Sequence, residues 1–311
     1  LFLPLMLTPQ SWYLFSYYNS DALSLFAVVM AAYQVFVSNS MLRRLLRGER
    51  PSHYFIWVAM LALLFAMQYW VKLNYIFYPI FLLMLAVSWL LLYRRKPALN
   101  RIMPVLMAFI LGTGLFLSWE VSRHVVNDFS LSEKATACRE KTAHKLYKPS
   151  TSLAQTHPNF NLRGKGETLI EMITERNWSE RIFFTGLGAY GYLEFLNSSV
   201  LYKTQSALIL LLFIYAIFVV FIKGNGLSRM SVLAMLAAML GITFAAILNN
   251  WDQDYQPQGR YLMVYLPLFG SMLLMNEKRI NLTLVSGLGW VLFSLALYSF
   301  IAIGLVEIPK L

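Results

Sequence analysis

Cysteine is almost missing from this chain: a single residue, Cys138, stands among 311. No intrachain disulfide can form, and cysteine usage says little about redox compartment. Charge is scarce as well. Asp, Glu, Lys and Arg make up 13% of the residues, roughly half the share of a soluble domain. There is no Gly-x-x-x-x-Gly-Lys loop and no Gly-x-Ser-x-Gly elbow, so P-loop nucleotide hydrolysis and serine-hydrolase chemistry have no support. His124, His144 and His157, all in the longest polar segment, lack the spacing of a metal site.

Apolar residues fill the space. They reach 58% of the chain, with a mean hydropathy of +0.56. Runs of about 17–23 apolar residues recur, long enough to cross a hydrocarbon core of roughly 30 Å. Eight complete spans can be traced, near Ala22–Val37, Tyr54–Val71, Ile76–Tyr93, Ile102–Ser118, Ser206–Ile222, Met230–Leu248, Leu262–Met275 and Leu282–Leu305. Leu1–Leu7 looks like the tail of a further helix already under way, and no signal peptide is evident. The aromatic residues 10–20 that follow read as an interfacial segment. The expected fold class is all-α, a polytopic transmembrane helical bundle with a polar loop region of about 85 residues. Its parts are an N-terminal bundle (1–118), the loop region (119–204) and a C-terminal bundle (205–311).

The net charge of +11 is orientational and gives no reason to expect nucleic acid as a partner. Arg43–Arg50, Arg94–Arg101, Lys223–Arg229 and Lys278–Arg279 all lie in connectors on one side, which should be cytoplasmic. The long loop, the connector Trp251–Tyr261 and the C-terminus then fall on the other side, with Lys72 the one short-loop exception. Within the long loop, Ser132–Lys145 reads as a charged surface helix and residues 147–166 as irregular. Glu167–Arg176 is expected to be helical, with Leu169, Ile170 and Ile173 on one face. Phe183–Leu196 alternates glycines with aromatics and suits a re-entrant or interface-lying segment. Asn177-Trp178-Ser179 and Asn197-Ser198-Ser199 match the glycosylation pattern, a frequent chance match.

The connector Trp251–Tyr261 is unusually rich in chemistry. Arg260, one residue before an apolar run, presents a planar cation suited to bidentate binding of phosphate or carboxylate near the membrane surface. Gly259 beside it could let a ligand approach the backbone. Gln256, Gln258, Asp252 and Asp254 could bond sugar hydroxyls, and either aspartate could take a divalent cation. The plainer alternative pairs Arg260 with a headgroup or carboxylate and makes Tyr255 and Tyr261 belt residues. Asp21 lies at the mouth of a span, either as part of a helix start with Ser20 as N-cap or as a carboxylate facing a cavity. Lys72 with Tyr75 could neutralise a lipid phosphate or simply snorkel. Glu194 is a candidate acid or base, or a solvated loop carboxylate.

Gln258-Gly259-Arg260-Tyr261, followed by Leu266-Pro267-Leu268, resembles the Gln-Gly-Arg-Tyr signature of a family of bacterial multi-pass membrane proteins. That family is placed with the GT-C class of polyprenyl-phosphate-sugar-dependent glycosyltransferases. Phe184–Phe195 is similar to its aromatic-glycine passage, Asn19-Ser20-Asp21-Ala22-Leu23 to its Asn-x-Asp-Ala-Leu helix opening, and Lys72 with Tyr75 to its Lys-x-x-Tyr turn. The resemblance implies an inner-membrane enzyme that passes a sugar from a polyprenyl-phosphate carrier to a cell-envelope acceptor on the extracytoplasmic face. It implies Asp21 as an acidic site residue, Lys72 and Arg260 as phosphate binders, and Gln258 and Tyr261 as pocket lining. The family's first outer loop, with its catalytic aspartate, would precede residue 1. Two other readings remain open: an O-antigen ligase or polymerase type of enzyme, and a non-catalytic subunit that binds a protein partner or membrane lipids through residues 119–204.

Overall fold

A computed structural model describes residues 20–37, 39–49, 52–70, 73–93, 99–190 and 195–306. Leu1–Leu7, the interfacial segment up to residue 19, Lys72 and Glu194 lie outside them. In chain order the helices are α1 (Ser20–Phe36), α2 (Met41–Leu46), α3 (Tyr54–Trp70), α4 (Phe77–Tyr93), α5 (Leu99–Val126), α6 (Leu131–Thr142), α7 (Leu169–Thr174) and α8 (Trp178–Gly188). They continue with α9 (Ser199–Lys223), α10 (Gly226–Asp252), α11 (Tyr265–Met275) and α12 (Leu282–Ser299). Short 3₁₀ turns, Leu73–Ile76 and Gly259–Leu262, lead into α4 and α11, and a π-helical stretch, Phe300–Leu305, extends α12. Between α8 and α9 a minimal antiparallel hairpin pairs β1 (Ala189–Tyr190) with β2 (Phe195–Leu196).

The fold is all-α apart from that hairpin. Among the described residues, five segments are long and apolar enough to cross a membrane: Ser20–Leu46, Met103–Val126, Ser199–Lys223, Gly226–Asp252 and Leu282–Leu305. Three others, Tyr54–Trp70, Phe77–Ser88 and Gly259–Met275, are apolar but shorter. Large apolar side chains crowd the outward helix faces, among them Phe55, Leu83, Ile110, Leu240 and Phe244. Exposed apolar side chains in this number suit a hydrocarbon surrounding, since a water-soluble monomer rarely exposes so many.

The main core is built where α1, α4, α9, α10, α11 and α12 meet, around Leu25, Tyr78, Phe81, Leu212, Met235, Ile242 and Leu268. Val28 and Ala32 of α1 continue the stripe begun by Leu25, at the three- and four-residue steps that keep one helix face inward. Tyr78 and Ser271 join hydroxyls at 2.8 Å inside this core, so neither polar group is left bare. A second seam joins α3 to α5. A methyl at Gly112 would stand 2.5 Å from the Ala62 carbonyl oxygen, so only glycine lets these backbones approach this closely.

The loop region is ordered against one end of the bundle. Residues 159–163 run antiparallel to 251–255, with Asn161 N–H to the Gln253 carbonyl at 2.7 Å, Arg163 N–H to that of Trp251 at 3.1 Å and Tyr255 N–H to that of Asn159 at 2.8 Å. Arg176 grips Glu167 with two bonds of 2.6 and 2.7 Å and reaches Asn159 Oδ1 at 3.0 Å. Tyr255 donates its hydroxyl to the Arg176 carbonyl at 2.6 Å, and the Trp251 indole donates to the Glu167 carbonyl at 2.7 Å. Leu162, Met172, Trp178, Ile182, Ala246 and Tyr255 form a small core beneath this network.

The helix α6 occupies the charged stretch expected to be helical and buries none of its residues. The helix α7 is shorter than its expected range and is closed by a reciprocal capping box between Thr168 and Glu171. The described residues of Phe183–Leu196 form the end of α8 and both hairpin strands, β1 and β2. Asn197 is consumed by this packing: its side chain donates to the Gly188 carbonyl and accepts from Ser299, and it is 7% exposed.

Candidate functional site

Asp21 and Arg260 meet at the end of the bundle that carries the docked loop. Asp21 belongs to the first turn of α1, which packs along α11, and Arg260 sits in the 3₁₀ turn just ahead of α11. Helix packing therefore brings together residues 239 positions apart. Arg260 Nε lies 3.8 Å from Asp21 Oδ2, with the carboxylate side chain 2% exposed and the guanidinium side chain 28% exposed. The contact is ionic, beyond hydrogen-bond length, and Nε makes no hydrogen bond among the described residues. The guanidinium carbon stands 5.6 Å from the centre of the Tyr261 ring.

Ser20 lies inside α1, so the expected N-cap role moves off it; its carbonyl accepts the Ser24 hydroxyl at 2.8 Å. Asp21 is a buried carboxylate at the helix start, where the dipole favours negative charge. Tyr75 stands in the 3₁₀ turn between α3 and α4, 2% exposed, and its hydroxyl makes no hydrogen bond among the described residues. Burial pushes that hydroxyl well above the usual phenol range, and the Asp21 carboxylate adds to the shift. Tyr75 is thus a neutral donor within the field of the Asp21 carboxylate.

The rest of Trp251–Tyr261 divides in two. Asp252 is engaged by Arg163 at 3.2 Å, and Asp254 accepts from Gln256 at 2.5 Å while its backbone bridges Phe160. Among the described residues no group of three His, Cys, Asp or Glu could hold a metal ion. Gln258 donates to Gln256 at 3.3 Å along an exposed rim. Gly259, expected to open the backbone to a ligand, instead presses on the backbone of α8. A Cβ there would overlap Gly186 Cα and N and stand 2.8 Å from the Ile182 carbonyl oxygen. The space beside Gly259 is occupied by protein.

Thr185, on the same helix, was given no role by the sequence. Its hydroxyl oxygen accepts the Gly259 N–H at 2.6 Å and lies 3.2 Å from the Pro257 carbonyl and 3.0 Å from that of Ile182. The only trace of it in the sequence is its place in the glycine-aromatic passage.

An apolar groove of about 410 Å³ lies among α8, α9, α10 and α11, walled by Phe183, Ile209, Phe213, Met239, Leu266 and Phe269. Its polar groups are already used. The Tyr265 hydroxyl bonds the Thr243 hydroxyl and donates to the Met239 carbonyl at 2.8 Å, and the Ser206 hydroxyl donates to the Tyr202 backbone carbonyl. What the groove offers a ligand is hydrocarbon contact. Compared with protein-family models, curated proteins and solved structures, the chain matches none.

Proposed function

We propose that the chain is a GT-C-like membrane glycosyltransferase that takes a sugar from a polyprenyl-phosphate carrier to a cell-envelope acceptor. The observation that carries this reading is the Arg260–Asp21 pair: a partly exposed arginine side chain backed by a buried carboxylate at one end of an apolar bundle. A guanidinium so held can turn its remaining donors on a lipid phosphate and offset the charge that develops as the phosphate leaves. Asp21, fixed beside it, would orient the acceptor or take its proton. Tyr75 would add a neutral hydrogen bond to a phosphate oxygen. The groove walled by Phe183 and Phe269 supports a prenyl chain in its size and apolar lining.

In the same reading the three shorter apolar helices complete eight spans, the docked loop is extracytoplasmic and the membrane is the bacterial inner membrane. Lys72 would join Arg260 and Tyr75 at the lipid phosphate, Glu194 would serve as an acid or base, and Gln258 and Tyr261 would line the rim.

The test is transfer from a polyprenyl-phosphate sugar by membranes containing the chain. Arg260→Ala should abolish transfer, and Arg260→Lys should restore only a fraction, roughly a tenth or less, because the planar fork is gone. Undiminished transfer by Arg260→Ala would remove Arg260 from the mechanism and this assignment with it.

A further inference from the structure

We infer that Thr185 is the positioning residue of this site: it acts through Gly259 to hold the Arg260 guanidinium against Asp21. The inference rests on the lipid-phosphate reading for its consequence, though not for its geometry. Arg260 follows a proline-containing connector, and the 3₁₀ turn that carries it is only four residues long. Such a turn has little stiffness of its own. Its anchors come from α8. The Gly259 N–H is fixed on the Thr185 hydroxyl oxygen at 2.6 Å, and the hydroxyl proton has the Pro257 carbonyl at 3.2 Å and the Ile182 carbonyl at 3.0 Å as acceptors. One side chain, 6% exposed, therefore spans both ends of Pro257–Gly259 immediately before Arg260.

The backbones complete the clamp, and they do so unequally. A methyl on Gly259 would overlap Gly186 Cα and N. A methyl on Gly186 would stand 3.5 Å from Gly259 Cα, an ordinary contact. The tight side is the one that carries Arg260. Replacing the Thr185 hydroxyl by a methyl strands a buried N–H, and the Gly259 backbone must move to find another partner. The guanidinium moves with it, and a shift of about 1 Å in a phosphate-binding group is enough to cost much of its function.

The experiment uses the full chain in detergent micelles and two readouts. The first is binding of a polyprenyl phosphate, followed by native mass spectrometry. The second is amide hydrogen exchange of residues 256–263 without ligand. Thr185→Val should weaken binding at least tenfold and speed exchange at Gly259 at least tenfold, while Thr185→Ser, which keeps the oxygen, should stay within threefold of wild type in both. Gly259→Ala should behave like Thr185→Val, and Gly186→Ala like wild type. Wild-type exchange in Thr185→Val, or equal damage in Thr185→Ser and Thr185→Val, would overturn the clamp. So would wild-type binding by Thr185→Val where the wild type itself binds. If the wild type does not bind the lipid, the lipid-phosphate reading falls, and the exchange comparison alone decides for or against the clamp.

Discussion

A phenol hydroxyl buried without a hydrogen-bond partner costs about 1–3 kcal/mol, and among the described residues Tyr75 carries one, within the field of Asp21. Tyr75→Phe keeps the ring in its packed place and removes only the oxygen. It should leave the melting temperature unchanged or raise it by a few degrees, while reducing sugar transfer roughly tenfold. A drop in both would mean that the hydroxyl serves the fold alone. At this scale the sequence singled out Arg260 and Asp21 separately for their chemistry, though not their pairing, which helix packing creates. It was uninformative about Thr185, because a threonine gains its role only from the Gly259 N–H that tertiary packing brings to it. Asp252 and Asp254 attracted attention as carboxylates, yet Arg163 and Gln256 already engage them.

Among the elements, the apolar runs foretold the long helices, since span length and hydropathy are properties of the chain itself. Element ends were less legible. The run Ile102–Ser118 continues as α5 to Val126, and Leu262–Met275 begins as a 3₁₀ turn before α11. The docking of residues 159–167 on 251–255 could not be read at all, because it depends on pairs such as Trp251 with Glu167 that are 84 positions apart. Arg176 is the centre of that dock, and the Glu167 carboxylate holds its guanidinium above the ordinary arginine range. Arg176→Ala should therefore release both strands together. Hydrogen exchange at Asn161, Arg163 and Tyr255 should rise by an order of magnitude while amides in α10 keep their protection. Release of only one of the two segments would show that the backbone ladder stands without Arg176.

For the whole molecule, the proposed orientation places the docked loop outside the cytoplasm. Cys138, the only cysteine, lies exposed on α6 and reports on this directly. A membrane-impermeant maleimide should label it in spheroplasts without permeabilisation, and labelling only after lysis would reverse the orientation. The central claim concerns the Arg260–Asp21 pair, and it meets its most direct test in the melting of purified protein with and without a polyprenyl phosphate. A ligand held at a hundred times its dissociation constant stabilises by about 2.7 kcal/mol. Wild-type protein should gain several degrees under that condition, and Arg260→Gln should gain none. An equal gain in both proteins would contradict the account.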